Sequence, residues 1–291
     1  MQVGLVKQIR RYPVKSMGGE VLDRVELTAN GLVGDRAWAV RDEVRGQIVG
    51  AKRIAALMKF KARYVQPPTA GGSGPAEITF PDGEMATTTD ENISARLSEA
   101  LKHTVTLWPL MPADALDHYR RAPMKTDNVD AEMREVLGRT PDEPLPDFSK
   151  FPPELFEFAS PPGTYFDAYP LLLISQTSLD SLQRARPESR FDIRRFRPNF
   201  LLDVPGDSPD SNEPFPEFAW AGKRVRLGDA VLRMTLACPR CVMTTHGFED
   251  LPKDPGVMRT LVKEAGGNFG VCATVEQPGK VRVGDAVVVM E

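Results

Sequence analysis

The sequence predicts an α+β, β-rich fold: a barrel-like mixed architecture with a few peripheral helices. Three observations point there. Short apolar or alternating runs recur along the chain and are closed by Gly, Asn, Asp or Pro. Helical periodicity appears in only a few windows. Two near-repeats, Gly222-Lys-Arg-Val-Arg-Leu-Gly-Asp-Ala-Val231 and Gly279-Lys-Val-Arg-Val-Gly-Asp-Ala-Val287, each read as strand, Gly-Asp turn, strand. No longer repeat surrounds them, so they are reused turn chemistry, not domain duplication.

Residues 3–14 alternate around Val3, Leu5 and Ile9 and end at Tyr12-Pro13, as a strand running into an extended segment does. Lys15-Ser-Met-Gly-Gly19 is a small turn carrying a cation and a hydroxyl. Strands are predicted over 21–27 and 36–40, with a tight turn at Asn30-Gly31. A short helix is expected over 54–60. Strands over 63–66 and 76–80 flank a flexible Pro/Gly loop. A helix over 91–102 rests on Ile93, Leu97 and Leu101, with Asp90 as its cap. Val105–Trp108 reads as a strand and 129–137 as a helix stopped by Gly138. Prolines between 140 and 163 exclude long regular elements and mark the best candidate boundary. Beyond it, Leu171–Ile174 is a continuous apolar run, as in a strand buried on both faces. Thr177 and Asp180 have capping-box spacing for the helix that follows. Arg190, Arg194, Arg195 and Arg197 interleave with Phe191 and Phe196 before an apolar strand over 200–204.

Composition sets bounds. At 291 residues the chain can bury a sizeable core and hold one large or two modest domains. With 26% charged residues and a net charge of −3, it has no global pull toward nucleic acid. Three cysteines, an odd count, argue against a secreted disulfide framework. The N-terminus is charged too early for a signal peptide, and no apolar run is long enough to span a bilayer. A cytoplasmic protein with no membrane and no nucleic-acid partner is expected.

Chemistry concentrates at Met234-Thr-Leu-Ala-Cys-Pro-Arg-Cys-Val-Met-Thr-Thr-His-Gly247. The strand ahead breaks at Pro239 and is expected to resume at Val242. Dithiol redox chemistry wants its Cys-x-x-Cys at a helix start, and β-branched residues then glycine stand here instead. A zinc site recruiting Cys238, Cys241, His246 and Cys272 has only half of a zinc spacing. Cys238 and Cys272 also read as packed core cysteines. A lone thiolate on a soft transition metal, at Cys241, stays open beside these. Lys15, Ser16, Arg36, Arg197, Asn199 and Arg240 supply the cations, amide and hydroxyl that hold a phosphate and a polar heterocycle. No Walker or Gly-x-Gly-x-x-Gly motif follows a strand, and no nucleophile elbow is present.

Six blocks carry a family resemblance: Tyr12-Pro-Val-Lys-Ser16, Gly31-Leu-Val-Gly-Asp-Arg36, Tyr169-Pro-Leu-Leu-Leu-Ile-Ser175, Phe196-Arg-Pro-Asn199, Ala237-Cys-Pro-Arg-Cys-Val-Met-Thr-Thr245 and Val283-Gly-Asp285. In this order they resemble the MOSC-domain proteins with an N-terminal β-barrel domain, among them the mitochondrial amidoxime-reducing components and their bacterial relatives. The resemblance implies a MOSC N-terminal β-barrel domain over 1–120, a proline-rich connection over 121–165 and a MOSC domain over 166–291. It implies a molybdenum cofactor of molybdopterin type, with Cys241 as metal ligand and Cys238 non-ligating. Cofactor contacts are implied at Lys15, Ser16, Arg36, Ser175, Arg197 and Asn199, with Arg240, Thr244 and Thr245 close by.

The implied reaction is reduction of small N-hydroxylated compounds (hydroxylamines, amidoximes, N-hydroxylated bases). Some relatives append a [2Fe–2S] domain whose cysteines are absent here, so a separate iron–sulfur, flavin or haem protein is the expected electron donor. Relatives usually carry an Asp-Pro-rich loop after the position of Thr245; here the chain reads His246-Gly-Phe-Glu-Asp-Leu-Pro252. The competing expectation is a pocket that carries or delivers the cofactor, or transfers sulfur, without turnover.

Overall fold

The computed structural model describes residues 1–124, 126–204 and 213–290. Strand β1 (Gln2–Arg11) opens the chain, and Pro13, lacking a ladder donor, lies just beyond it. The strand expected over 21–27 divides into β2 (Glu20–Leu22) and β3 (Arg24–Thr28), followed by β4 (Gly31–Leu32). Next come β5 (Trp38–Asp42), β6 (Gln47–Val49), β7 (Lys61–Tyr64), β8 (Ala76–Thr79) and β9 (Met85–Thr87). The helix expected over 54–60 is a 3-10 turn, Ala55–Lys59. Helix α1 (Ile93–Leu101) buries Ile93, Leu97 and Leu101, as the four-residue recurrence requires. Asp90 does not cap it: its carboxylate accepts from the Thr87 amide at 2.8 Å and closes the preceding turn. Strand β10 (Val105–Pro109) completes a three-stranded sheet with β5 and β6.

Helix α2 (Leu116–Tyr119) precedes the connection, which holds α3 (Val129–Leu137) and α4 (Glu154–Glu157). Asn128 caps α3 through its side chain, and Gly138 ends it in the left-handed conformation at φ 65°. Then β11 (Leu171–Ser175) leads into α5 (Gln176–Ala185), α6 (Ile193–Phe196) and β12 (Phe200–Asp203). Strands β13 (Arg224–Leu227) and β14 (Ala230–Pro239), helix α7 (Pro255–Ala265), and strands β15 (Asn268–Gln277), β16 (Gly279–Arg282) and β17 (Ala286–Met290) finish the chain.

The sheet runs β12-β11-β15-β14-β13-β17-β1, and β1 also pairs with β12, so seven strands close into a barrel. The first strand thus completes a barrel otherwise made by the second half. Closure removes both edges. Val6, Ile9, Leu173, Phe200, Val225 and Val271 fill the interior. Leu172, Ile174 and Leu201 face outward against Leu182 of α5 and Val257 and Leu261 of α7. That two-sided burial is why Leu171–Ile174 reads as an unbroken apolar run. The near-repeats diverge: β13 and β14 pair as a hairpin, whereas β16 pairs with β3 and β17 with β1 and β13.

A second core, around Val14, Val40, Leu57, Phe60 and Leu97, lies in the first half, and Met243, Phe248 and Leu251 from the second half are buried in it. The two halves are therefore packed into one another through the loop after the second cysteine. No helix among the described residues is long and apolar enough to cross a membrane.

Ser175 caps α5, accepting from the Ser178 amide at 3.0 Å, so Thr177 and Asp180 do not form the expected box. Buried Glu217 lies 2.7 Å from the Ser175 hydroxyl and accepts from Ser178 Oγ at 2.6 Å. Replacing Glu217 with Leu leaves two buried hydroxyls without this acceptor. The expected cost is roughly 2–4 kcal/mol, read as a fall in thermal midpoint, with Glu217→Gln losing less because one oxygen acceptor remains.

Candidate functional site

A cavity of about 390 Å³ lies between the barrel and the first half, with the 121–165 connection forming its outer side. Of the residues read from the sequence, Lys15, Ser16, Arg36, Arg197, Asn199, Arg240 and Cys241 line it together. Three do not. Ser175 is occupied as the α5 cap beside Glu217. Thr244 and Thr245 are buried in a 3-10 turn, Val242–Thr245, and their hydroxyls donate to Cys241 O at 3.1 Å and Val242 O at 2.7 Å. The strand does not resume after Pro239; Cys241 is the N-cap of that turn.

The cavity floor is built on strained backbone. Ser16, Arg36 and Arg197 adopt left-handed φ of 69°, 48° and 57°, a conformation unfavourable for residues with a Cβ. Tertiary contacts hold them there. Ser16 Oγ accepts from the Ala51 amide at 2.9 Å. Arg36 donates to Asp35 and to Arg197 O at 3.3 Å. Arg197 donates to Met17 O, and its guanidinium stacks 4.1 Å over the Tyr12 ring. Asn199 donates to Asp35 Oδ2 at 3.0 Å and accepts from the Leu172 amide at 3.2 Å. Burial pulls the Arg197 guanidinium down to about 10, so it remains a cation at neutral pH.

Lys15 is not free for a ligand. Its ammonium donates to Tyr165 O at 2.7 Å and Asp167 Oδ1 at 2.6 Å and lies 3.3 Å from Ser160 Oγ, tying the first half to the connection. Burial pushes it below the ordinary lysine value against the pull of Asp167. Lys52, not singled out by the sequence, pairs with the other Asp167 oxygen at 2.9 Å. Burial would raise the Asp167 carboxyl, but the two ammonium groups hold it well below the usual carboxylate range. Burial acts to lower Lys52 too, and Asp167 and Cys241 overcome it. A lysine after Gly-Ala, in a loop carrying no recognisable motif, gave no sequence signal.

The three cysteines have separate environments, and all are free thiols. Cys238 receives Arg240 Nη1 at 3.1 Å. Hydrogen bonding from Cys272, against burial and with help from Arg240, draws the Cys238 thiol below its usual value. The same bond and burial push Cys272 well above. Among the described residues the Cys241 sulfur has no hydrogen-bond partner. His246, the other candidate zinc ligand, instead donates through Nε2 to Ala51 O at 2.9 Å, clasping the two halves. No group of three or more His, Cys, Asp or Glu side chains suited to a metal exists among the described residues.

The lining carries eight cationic side chains against the two carboxylates Glu132 and Asp167. Arg197 Nη2 and Arg240 Nε are buried with no hydrogen-bond partner among the described residues. Buried N–H groups without acceptors are costly, and an anionic oxygen held in the cavity would supply the acceptor that both lack. A soft free thiol and two unpaired guanidinium donors among the lining residues fit a phosphate-bearing, thiolate-ligated metal cofactor.

Residues 3–115 match the family model described as MOSC N-terminal beta barrel domain, and residues 161–288 match the MOSC domain. Among characterised proteins, the chain is 27% identical to mitochondrial amidoxime-reducing component 1 of Mus musculus, over 98% of this chain and 82% of that one. It is 28% identical to the component 1 protein of Xenopus laevis (98% and 82%) and 26% identical to component 2 of Bos taurus (98% and 83%). A crystal structure of the YUAD protein from Bacillus subtilis covers 99% of this chain and 95% of its own at 12% identity, with a TM-score of 0.46. That of YiiM from Escherichia coli covers 42% of this chain and 55% of its own at 18% identity, with a TM-score of 0.31.

Arg240 stabilises the Cys238 thiolate, so Arg240→Ala should shift the pH midpoint of Cys238 alkylation upward in Cys241→Ser protein, followed by peptide mass spectrometry. The Cys272→Ala change should move it the same way, since it removes the other donor. An unchanged midpoint in both would show that neither group acts on Cys238.

Proposed function

Because the chain is a MOSC-domain protein with an N-terminal MOSC β-barrel domain, we propose that its central cavity holds a molybdenum cofactor and reduces N-hydroxylated compounds. The observation that carries this reading is the cavity's pairing of a partner-free Cys241 thiol with the orphaned donors of Arg197 and Arg240. The names of the amidoxime-reducing relatives supply the reaction class.

Cys241 would ligate the metal as a thiolate, and Arg197, Arg240 and Arg36 would receive the phosphate and the polar ring edges. When bound, the cofactor supplies two-electron exchange at a metal. For a hydroxylamine the balance is R–NHOH plus two electrons and two protons giving R–NH2 and water. The N–O bond breaks and its oxygen leaves as water. The electrons come from a separate iron–sulfur, flavin or haem protein. Lys52 lines the cavity and pairs with Asp167 at 2.9 Å, and it would donate a hydrogen bond to the departing hydroxyl. Asp167, held ionised, keeps Lys52 charged and accepts from substrate N–H groups.

Cys241→Ala should fold with an unchanged circular dichroism spectrum, lose molybdenum by elemental analysis, and lose reduction of 6-hydroxylaminopurine with a reconstituted donor. Arg197→Met should lower molybdenum retention by roughly tenfold. Full activity in Cys241→Ala would overturn the assignment. Metal and pterin present at full occupancy without turnover would instead favour the carrier or delivery reading.

A further inference from the structure

A second, smaller cavity of about 150 Å³ shares Arg197 with the central one and, among the described residues, shares no other. The first half lines it through Arg10, Tyr12 and Lys61, and the loop after the cysteines lines it through Phe248 and Glu249. That loop is the 246–252 stretch, which takes no part in the reaction proposed above. Phe248 and Leu251 exchange two backbone hydrogen bonds at 2.9 Å and close a turn that holds Glu249 left-handed at φ 49°. Arg195 braces the turn, donating to His246 O at 2.9 Å and to Pro252 O at 2.7 Å.

Charge in this cavity is unbalanced. Among the described residues, Arg10, Lys61, Arg194 and Arg197 line it against one carboxylate, Glu249. Arg194 is already matched, pairing with Asp192 and Glu249 at 2.7 Å and with Asp250 at 2.9 Å. It offsets Glu249, whose other cation, Lys61, stands off at 3.4 Å. Three cations are left over. Lys61 has no further acceptor among the described residues, and Arg10 engages only Nε, on Gln8 at 2.9 Å. Arg197 is 8% exposed; its Nη1 donates to Met17 O, and its Nη2 has no hydrogen-bond partner among the described residues. A buried donor left in that state is costly. The nitrogen carries two hydrogens, enough for one acceptor in each cavity. The Tyr12 ring, 4.1 Å from the guanidinium carbon, holds the group in place.

We propose that this cavity is a binding site for a phosphate group, received by Arg197 at its buried end and by Arg10 and Lys61 nearer solvent. Three unmatched cations suit a dianion, and tetrahedral oxygens accept from several directions where a carboxylate offers two in one plane. The volume is well below the roughly 300–1,000 Å³ of pockets that enclose a whole small molecule. The site therefore takes the phosphate and leaves any attached body in solvent. Inorganic phosphate and phosphate monoesters share that chemistry. The site is separate from the N-reduction proposed above and needs no metal in the central cavity.

Isothermal titration of the full chain with inorganic phosphate, methyl phosphate and acetate tests the site. Saturable one-site binding of a phosphate is expected, with acetate weaker by roughly tenfold or more. Lys61→Ala and Arg10→Ala should each weaken phosphate binding roughly tenfold, through loss of one charge-assisted hydrogen bond. Lys61→Arg should keep most of the affinity. The Lys61 side chain is 55% exposed, so truncating it leaves the fold intact, which an unchanged circular dichroism spectrum checks. Lys52 lines only the central cavity, so Lys52→Ala should leave phosphate affinity unchanged. Methyl phosphate binding as tightly as inorganic phosphate supports the site with a monoester as its ligand. A clear loss on adding the methyl group supports it with the free ion. No saturable phosphate binding, or acetate binding as tightly as phosphate, would overturn the proposal. Affinity lost in Lys52→Ala but kept in Lys61→Ala and Arg10→Ala would overturn it too, by moving the phosphate to the central cavity.

Discussion

Asp35 is the carboxylate on which the two halves of the molecule are registered. Its buried side chain accepts from the Tyr12 amide at 2.7 Å through one oxygen, and from Asn199 Nδ2 at 3.0 Å and Arg36 through the other. Tyr12 follows the strand that closes the barrel, Arg36 precedes β5 of the first half, and Asn199 precedes β12. One buried carboxylate therefore fixes three elements, the farthest of them 164 positions from Asp35 in sequence. A buried charge with incomplete partners costs several kcal/mol, of order 3–5 when one partner is removed, which is why the arrangement is all or nothing.

From that anchor the strain at Ser16, Arg36 and Arg197 becomes intelligible. A left-handed residue with a Cβ costs about 1–2 kcal/mol, and each of the three is held by contacts from a different element. The backbone turns at these points aim guanidinium groups into a cavity between domains, where regular strand geometry would alternate them between barrel interior and solvent. Tyr12 then serves as a shared platform, with Arg36 at 4.8 Å and Arg197 at 4.1 Å from its ring. Two like charges stack on one quadrupole, and Asp35 beside them offsets their repulsion.

The legible part of this structure was local. The α3 helix and its glycine stop depend only on nearest neighbours in sequence, and the apolar run of β11 declares its two-sided burial directly. Helix α7 carries equally local signals: Asp254 caps it, Pro255 opens it and Gly266 closes it. The roles of Ser175, Thr244 and Thr245 were not legible. Each has the right side chain at a position resembling a site, but a capping bond or a turn bond decides where the hydroxyl goes, and such bonds compete with a ligand on equal chemical terms. Lys52 and Asp167 were invisible for a different reason: each is unremarkable alone, and their pairing needs Lys15, Asp167 and Lys52 to converge from three segments. Phe148, Phe151 and Phe156, which line the central cavity, were hidden by the prolines around them, which advertise a linker.

The cysteine spacing shows how far adjacency in sequence can mislead. Pro239 and the N-cap geometry of Cys241 put the two sulfurs on different elements, a strand end and a 3-10 turn. Cys238 lines the cavity as Cys241 does, but its sulfur already receives the Arg240 guanidinium at 3.1 Å. A metal on that sulfur would have to displace the Arg240 donor. Cys241 has no such partner among the described residues, so a metal there displaces nothing. Arg240 thus engages one cysteine of the pair and not the other: its Nη1 donates to Cys238, and among the described residues the Cys241 sulfur receives no hydrogen bond.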